Sequence, residues 1–233
     1  MWKVCLALAA FINYGNAKLG CKNMNGEDVD WFVINDTVYG HSFCIDLLHR
    51  FAAIKLPPGI DERKGKSFVY FDSTQDGWQM SPEGIDSNKS AIGATISQIY
   101  DMDQENTFTI AYNDDSPVKA VYSNRGHSKG VAAFDSDVGF WMVHSIPNFP
   151  PLTMVPGVTM STYESIKLKV TSTIVVVIRA LKKYDYPKSG SRFAQSILCL
   201  SLSTNALEDI GQYMRFAQVT PFLTNLPDSF KVV

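Results

Sequence analysis

Histidine and cysteine are scarce in this sequence, four of each in 233 residues, and the scarcity narrows its chemistry. A closed zinc site needs Cys or His pairs at ligand spacing. His41, Cys44 and His49 lie near one another, but no second pair accompanies them, so they read as scattered loop and helix residues and no metal is expected. A charge of one sign is also missing. The formal net charge of −2 and pI near 6.1 leave no global basic footprint, so any nucleic-acid binding must come from a local patch or a change in pH. Long apolar runs are absent: "STIVVVIRAL" at 172–181 is too short to span a bilayer and reads as a buried strand, so no membrane partner is expected. No internal repeat stands out.

What is present suits a folded domain. With 45% hydrophobic and 19% charged residues the chain can bury a core, and neither disorder nor a fibre fits it. The opening "MWKVCLALAAFINYGNA" has Lys3 before a short apolar core and ends on small residues at Gly15 and Ala17, the pattern of a signal peptide cut after Ala17. Cleavage would remove Lys3 and no acid, taking the charge from −2 to −3. Export makes disulfides available, and Cys21, Cys44 and Cys199 remain, an odd set whose pairing stays open. It also makes "NDT" at Asn35 and "NKS" at Asn88 glycosylation acceptors, Asn88 the better placed in a polar turn with Pro and Gly.

Periodicity gives the elements. "VDWFVIN", "KSFVYFDS", "TFTIAYND", "GVAAFDS" and "GFWMVHSI" read as strands, the second ended by the Asp-Gly turn of "TQDGW" and the last by "PNFPP". "SNKSAIGATISQIYD" has helical spacing, with Ser87 or Asn88 as N-cap, and "NALEDIGQYMRFAQ" is a second helix. Strands interrupted by helices predict an α/β (α+β) layer rather than an all-β sandwich.

One short stretch carries chemistry. In "RGHSKG", His127 and Lys129 stand two apart between Gly126 and Gly130, at the entry to a strand. In strand geometry positions i and i+2 share a face, so an imidazole and an ammonium project together with Ser128 opposite. Such a pair can attack or protonate at phosphorus while holding an anion, and the ordinary pKa of histidine, about 6.5, suits both roles. By spacing alone the signal is weak. His144, in the apolar "FWMVHSIP", reads as a hydrogen-bonded core histidine, and Phe140 and Trp141 as core rather than base-stacking platforms.

The surrounding residues sharpen this. "RGHSKGVAAFDSDVGFWMVHSIPNFPP", with "VDWFV", "IKLPPG", "YND", "YDYPKSG" and "QSILCLS", resembles the deoxyribonuclease II family. The resemblance implies a phospholipase-D-like fold, a mixed β-sheet flanked by helices, in which two similar halves each give a His-x-Lys motif to one central site. This chain corresponds to the amino-terminal half of that pseudo-dimer. The resemblance further implies metal-independent cleavage of DNA at acid pH to 3′-phosphates, in an exported or lysosomal protein without cofactor. It assigns His127 and Lys129 to the amino-terminal motif and Asn148 to a polar position on the phosphate. Cys21 and Cys199 fall inside similar segments while Cys44 does not, which implies a Cys21–Cys199 bridge.

Departures qualify the resemblance. No second His-x-Lys occurs: His41-Ser42-Phe43 and His49-Arg50 do not supply it. Segments at about 34–53 and 153–183 match poorly and read as insertions, with retained intron sequence as the expected origin of one or both. Two functions follow, an acid endodeoxyribonuclease whose site a homodimer completes, or a secreted binding protein of nuclease ancestry without activity.

Overall fold

The computed structural model describes residues 19–35, 65–118, 125–151 and 184–231. The expected signal peptide and the strand read at "STIVVVIRAL" lie outside these residues, as do His41, Cys44, His49 and both insertions except for Ile34 and Asn35.

The strands form where apolar residues alternate. β1 (Cys21–Lys22) and β2 (Asp28–Val29) make a small hairpin. The remaining strands are β3 (Trp31–Asn35), β4 (Val69–Asp72), β5 (Gln79–Met80), β6 (Phe108–Asn113), β7 (Lys129–Phe134), β8 (Val138–His144), β9 (Ser196–Ser203) and β10 (Pro221–Asn225). They build an eight-stranded sheet in the order β10-β6-β7-β8-β9-β3-β4-β5. The expected α+β architecture is present. Every ladder among the described residues is antiparallel, where a mixed sheet was the expectation.

Because side chains alternate between faces, register fixes two separate cores. On one face Ala111, Val131, Ala133, Phe140, Met142, Ile197, Phe32 and Ile34 share a buried cluster with Ile92, Ile96 and Ile99 of helix α1 (Ala91–Asp101). On the other, Ala132 and Phe134 pack with Ile210 of helix α2 (Leu207–Phe216) and with Phe230. The sheet is thus a middle layer with one helix on each side. Each fully buried Ile or Phe contributes on the order of 2 kcal/mol by removal of apolar surface from water.

Helix α1 begins later than its sequence implies. Its N-cap is Ser90, neither Ser87 nor Asn88: the Ser90 Oγ accepts from the Gly93 N–H at 3.0 Å and donates to the Ser87 carbonyl at 2.7 Å. Only Ser90 stands three residues ahead of an amide left free by the first turn. Asn88 is exposed, and Asn35 closes β3 between β4 and β9. Neither helix is long and apolar enough to cross a membrane.

Cys21 of β1 is joined to Cys199 of β9 across 178 residues of sequence, both fully buried. Polar contacts seat the same hairpin: the Cys21 N–H donates to Ser201 Oγ at 2.8 Å, and Ser201 Oγ donates to the Val29 carbonyl at 2.6 Å. In the chain-entropy account so long a loop restricts the unfolded chain by about 4–5 kcal/mol. The double variant Cys21→Ser/Cys199→Ser should lose stability of that order in denaturant unfolding. An unchanged midpoint, or alkylation of native Cys21 before reduction, would refute the bridge.

Candidate active site

The last pair in the ladder between β6 and β7 is Asn113 with Lys129. One residue beyond β6 stands Asp114, and two residues before Lys129 stands His127, so the ladder itself brings the acid to the motif. Asp114 Oδ2 receives His127 Nδ1 at 2.8 Å, and Asp114 Oδ1 receives the Lys129 ammonium in a shorter contact. Burial differs sharply within this triad. The side chains of Lys129 and Asp114 are 4% and 8% exposed, whereas that of His127 is 87% exposed. Burial alone would push the Asp114 carboxyl up; the hydrogen bond and charge of Lys129, then those of His127, outweigh it and hold Asp114 below the ordinary carboxylate range.

An ionised carboxylate only accepts, so Nδ1 of His127 carries the shared proton. In neutral imidazole this leaves the lone pair on Nε2, the atom facing outward. The arrangement is that of a nucleophile fixed in one tautomer by an acid behind it.

The flanking glycines have separate reasons. The Gly126 N–H donates to the Gln218 carbonyl at 3.2 Å, and a Cβ on Gly126 would stand 1.8 Å from the Ala217 carbonyl oxygen. The motif is therefore pressed backbone to backbone against the end of α2. At Gly130 a Cβ would lie 2.3 Å from the hydroxyl of Tyr112, a fully buried ring lying across β7 whose oxygen accepts from Trp141 Nε1 at 3.2 Å.

Asn148 is near the triad but its amide is engaged. Its Nδ2 donates to Asp115 Oδ1 at 2.9 Å and to the Asp115 carbonyl at 3.2 Å, while its backbone N–H donates to the same carbonyl at 2.7 Å. The left-handed φ of 56° at Asn148 permits this turn, one that asparagine tolerates better than most residues. Asn113 ties the same segment from the other side, donating to the carbonyls of Ile146 and Phe149, each at 3.0 Å. Asn148 thus braces the loop that carries Asp114.

His144 is buried, as the sequence implies, with its ring edge-on to Phe149 at 5.2 Å and its Nδ1 accepting from the Ile146 N–H at 3.2 Å. Its Nε2 is buried without a hydrogen-bond partner. Burial first, and the positive charge of Lys129 second, push its pKa down to about 3. Phe140 is core; Trp141 is half-buried against Tyr213 of α2, ring centroids 4.9 Å apart.

Asp114 is the residue that sequence reasoning passed over. Its signal was an acid one step past a strand, in "YND", but the step from there to a shared carboxylate needs the register of β6 on β7. Among the described residues no three His, Cys, Asp or Glu side chains form a group able to hold a metal ion.

Residues 48–232 match the deoxyribonuclease II family. The chain belongs to that family. It is 33% identical over 226 residues to cell-death-related nuclease 7 of Caenorhabditis elegans, covering 97% of this chain and 48% of that protein. Human deoxyribonuclease-2-beta is 28% identical over 232 residues, covering 97% of this chain and 52% of its own length. The chain spans about half the length of these relatives.

Within this family member His144 sets a pH dependence of stability. Its imidazole stays neutral in the fold down to about 3, whereas the unfolded chain takes up the proton below about 6.5. The unfolded state therefore binds more protons in this window, and stability falls as pH falls from about 6.5 to about 3, by up to ~1.4 kcal/mol per unit. Asp114, held below the ordinary carboxylate range, adds loss of the same sign as pH falls below that range. His144→Leu should flatten the dependence of the unfolding midpoint between pH 6.5 and 4.5. Parallel wild-type and variant profiles would sink this account.

Proposed function

We propose that this chain carries one half of the site of an acid, metal-independent endodeoxyribonuclease that hydrolyses DNA phosphodiesters to 3′-phosphates. The observation that supports the reading is the Asp114 bridge, which holds the His127 tautomer and leaves Nε2 open to solvent beside a buried ammonium. Membership in the deoxyribonuclease II family adds DNA as the substrate class.

The chemistry balances with two imidazoles. His127 Nε2 attacks phosphorus, the P–N bond forms as the bond to the 5′-oxygen breaks, and a second, protonated imidazole gives its proton to that oxygen. Water then displaces the histidine with the second imidazole taking a proton, which releases the 3′-phosphate. Lys129 supplies positive charge for the non-bridging oxygens, Asp114 stabilises the charge that develops on His127, and Asn148 keeps the Asp114 loop in place. A homodimer related by a two-fold axis would bring a second His127 and Lys129 to the same phosphate, because a symmetric interface repeats a motif present once in sequence. We further infer export to a secreted or lysosomal compartment, from the leader-like opening residues.

The rival reading, a secreted DNA-binding protein without activity, draws on the single His-x-Lys. Zymography at acid pH with chelator separates the two, since the nuclease clears DNA and the binder does not. Cleavage should rise with protein concentration and fall by several orders of magnitude in His127→Ala. Asp114→Asn should lose about a hundredfold or more by freeing the wrong tautomer. An excess of His127→Ala chain should poison the wild type through mixed dimers. Undiminished cleavage in His127→Ala would place the chemistry elsewhere.

A further inference from the structure

The end of α2 that meets the motif is built unlike the rest of the surface. Phe216, in its last position, is 85% exposed, the most exposed large hydrophobic side chain among the described residues. Tyr213, three residues earlier and so on a neighbouring part of the helix surface, is 37% exposed. Its ring stands edge-on to Trp141, and its hydroxyl is 3.5 Å from the Oγ of Ser128, between His127 and Lys129. Immediately beyond Phe216, Ala217 and Gln218 make the close backbone contact with Gly126. The backbone that carries the exposed ring thus leads within one residue to the contact that seats the His127 loop.

Two arginines lie close to it along the backbone. Arg125 precedes Gly126 and Arg215 precedes Phe216; both are exposed and neither is in an ion pair among the described residues. The acids of α2, Glu208 and Asp209, occupy its first turn at the opposite end. Arg215 is accounted for by the negative end of the helix dipole. Phe216 is not: packing does not hold it, and its ring leaves a flat apolar face open to solvent. An exposed ring with two exposed arginines close along the backbone, one beside it on α2 and one beside Gly126 across the junction, has the chemistry of a nucleic-acid strand's partner, since such a strand offers phosphates and a base with a flat apolar face.

We propose, building on the nuclease reading above, that the last turn of α2 is a nucleobase-stacking subsite beside the His127 half-site. Phe216 is the stacking face, Arg125 and Arg215 bind the flanking phosphates, and Tyr213, with its hydroxyl against Ser128, ties α2 to the motif. The occupant is a base of a single or locally unstacked DNA strand. The subsite sets which phosphate is presented to Nε2, because the base is held while the backbone passes the imidazole.

The test is equilibrium binding of the full chain to a fluorescein-labelled, phosphorothioate-linked single strand. The comparison is the same strand with abasic sites, both read by anisotropy at fixed salt and acid pH. The base-bearing strand should bind roughly tenfold or more tighter, the size of one base–aromatic stack. Phe216→Ala should abolish that preference and leave the abasic affinity unchanged, with Phe216→Trp restoring it. Arg125→Gln and Arg215→Gln should weaken both strands alike and each lower the salt slope by about 0.7. An unchanged slope removes that arginine from the subsite. An unchanged base preference in Phe216→Ala, with DNA still bound, overturns the subsite and leaves the nuclease reading standing. Failure of wild type to bind either strand overturns both. A change of oligomeric state in Phe216→Ala without a change in base preference makes the ring a subunit contact and also overturns the proposal.

Discussion

A single buried carboxylate organises this structure's chemistry. Asp114 takes an ammonium on one oxygen and an imidazole on the other, and everything around it fixes those two bonds. The ladder of β6 on β7 places it opposite the motif, and Asn113 and Asn148 pin the chain before and after it. A buried ion pair rarely stabilises a fold relative to an apolar pair of the same volume, since desolvation offsets most of the attraction. Here the pair carries something an apolar pair could not: a fixed direction for an exposed imidazole. Removing the carboxylate would leave Lys129 charged and buried without its partner, so the geometry and the stability of the site are coupled through one side chain.

The glycines show why the motif reads Gly-His-Ser-Lys-Gly rather than His-x-Lys in any context. Each contact is a close approach that a Cβ would block, one to α2 and one to Tyr112. Both lie toward the α2 side of the sheet, while Lys129 belongs to the α1 side, where Asn113 is its ladder partner. The strand therefore carries its chemistry on one face and its anchoring on the other. His127 gains a rigid mount without losing its exposure.

Much of this was legible in the residues, and what was missed has physical causes. Alternating apolar runs located β3, β4 and β6–β8, because burial on a sheet face imposes a period of two. β10 escaped because it is an edge strand that opens on Pro221 and needs only one partner, and the β1–β2 hairpin because its strands are two residues each. Strand order was out of reach: β9 enters between β8 and β3 from far along the chain, which no local pattern records. His127 and Lys129 were visible as a spacing, whereas Asp114 acts across 13 and 15 residues of sequence and is defined by register alone. Asn148 was placed on the phosphate by resemblance alone; where its amide hydrogens point is not written in the sequence, and they point at Asp115 and Ser116.

The same geometry limits where a leaving-group acid can come from. An in-line displacement needs a proton donor on the side of phosphorus away from the nucleophile, so a second imidazole must reach open solvent facing His127. His144 does not meet that requirement: it is buried in the apolar layer, and desolvation with the nearby charge of Lys129 keeps it neutral down to about pH 3. A group that is neutral across the acid range has no proton to give there, and its Nε2 is closed off from substrate. Lys129 is buried too, and its ammonium, held by Asp114 beside the imidazole, can lend charge to a phosphate there but is not a free proton donor. Among the described residues the exposed imidazole is that of His127, and the proposed mechanism gives it the nucleophile's part. The acid must therefore approach from outside this layer. The 87% exposure of the His127 side chain is what leaves room for such an approach.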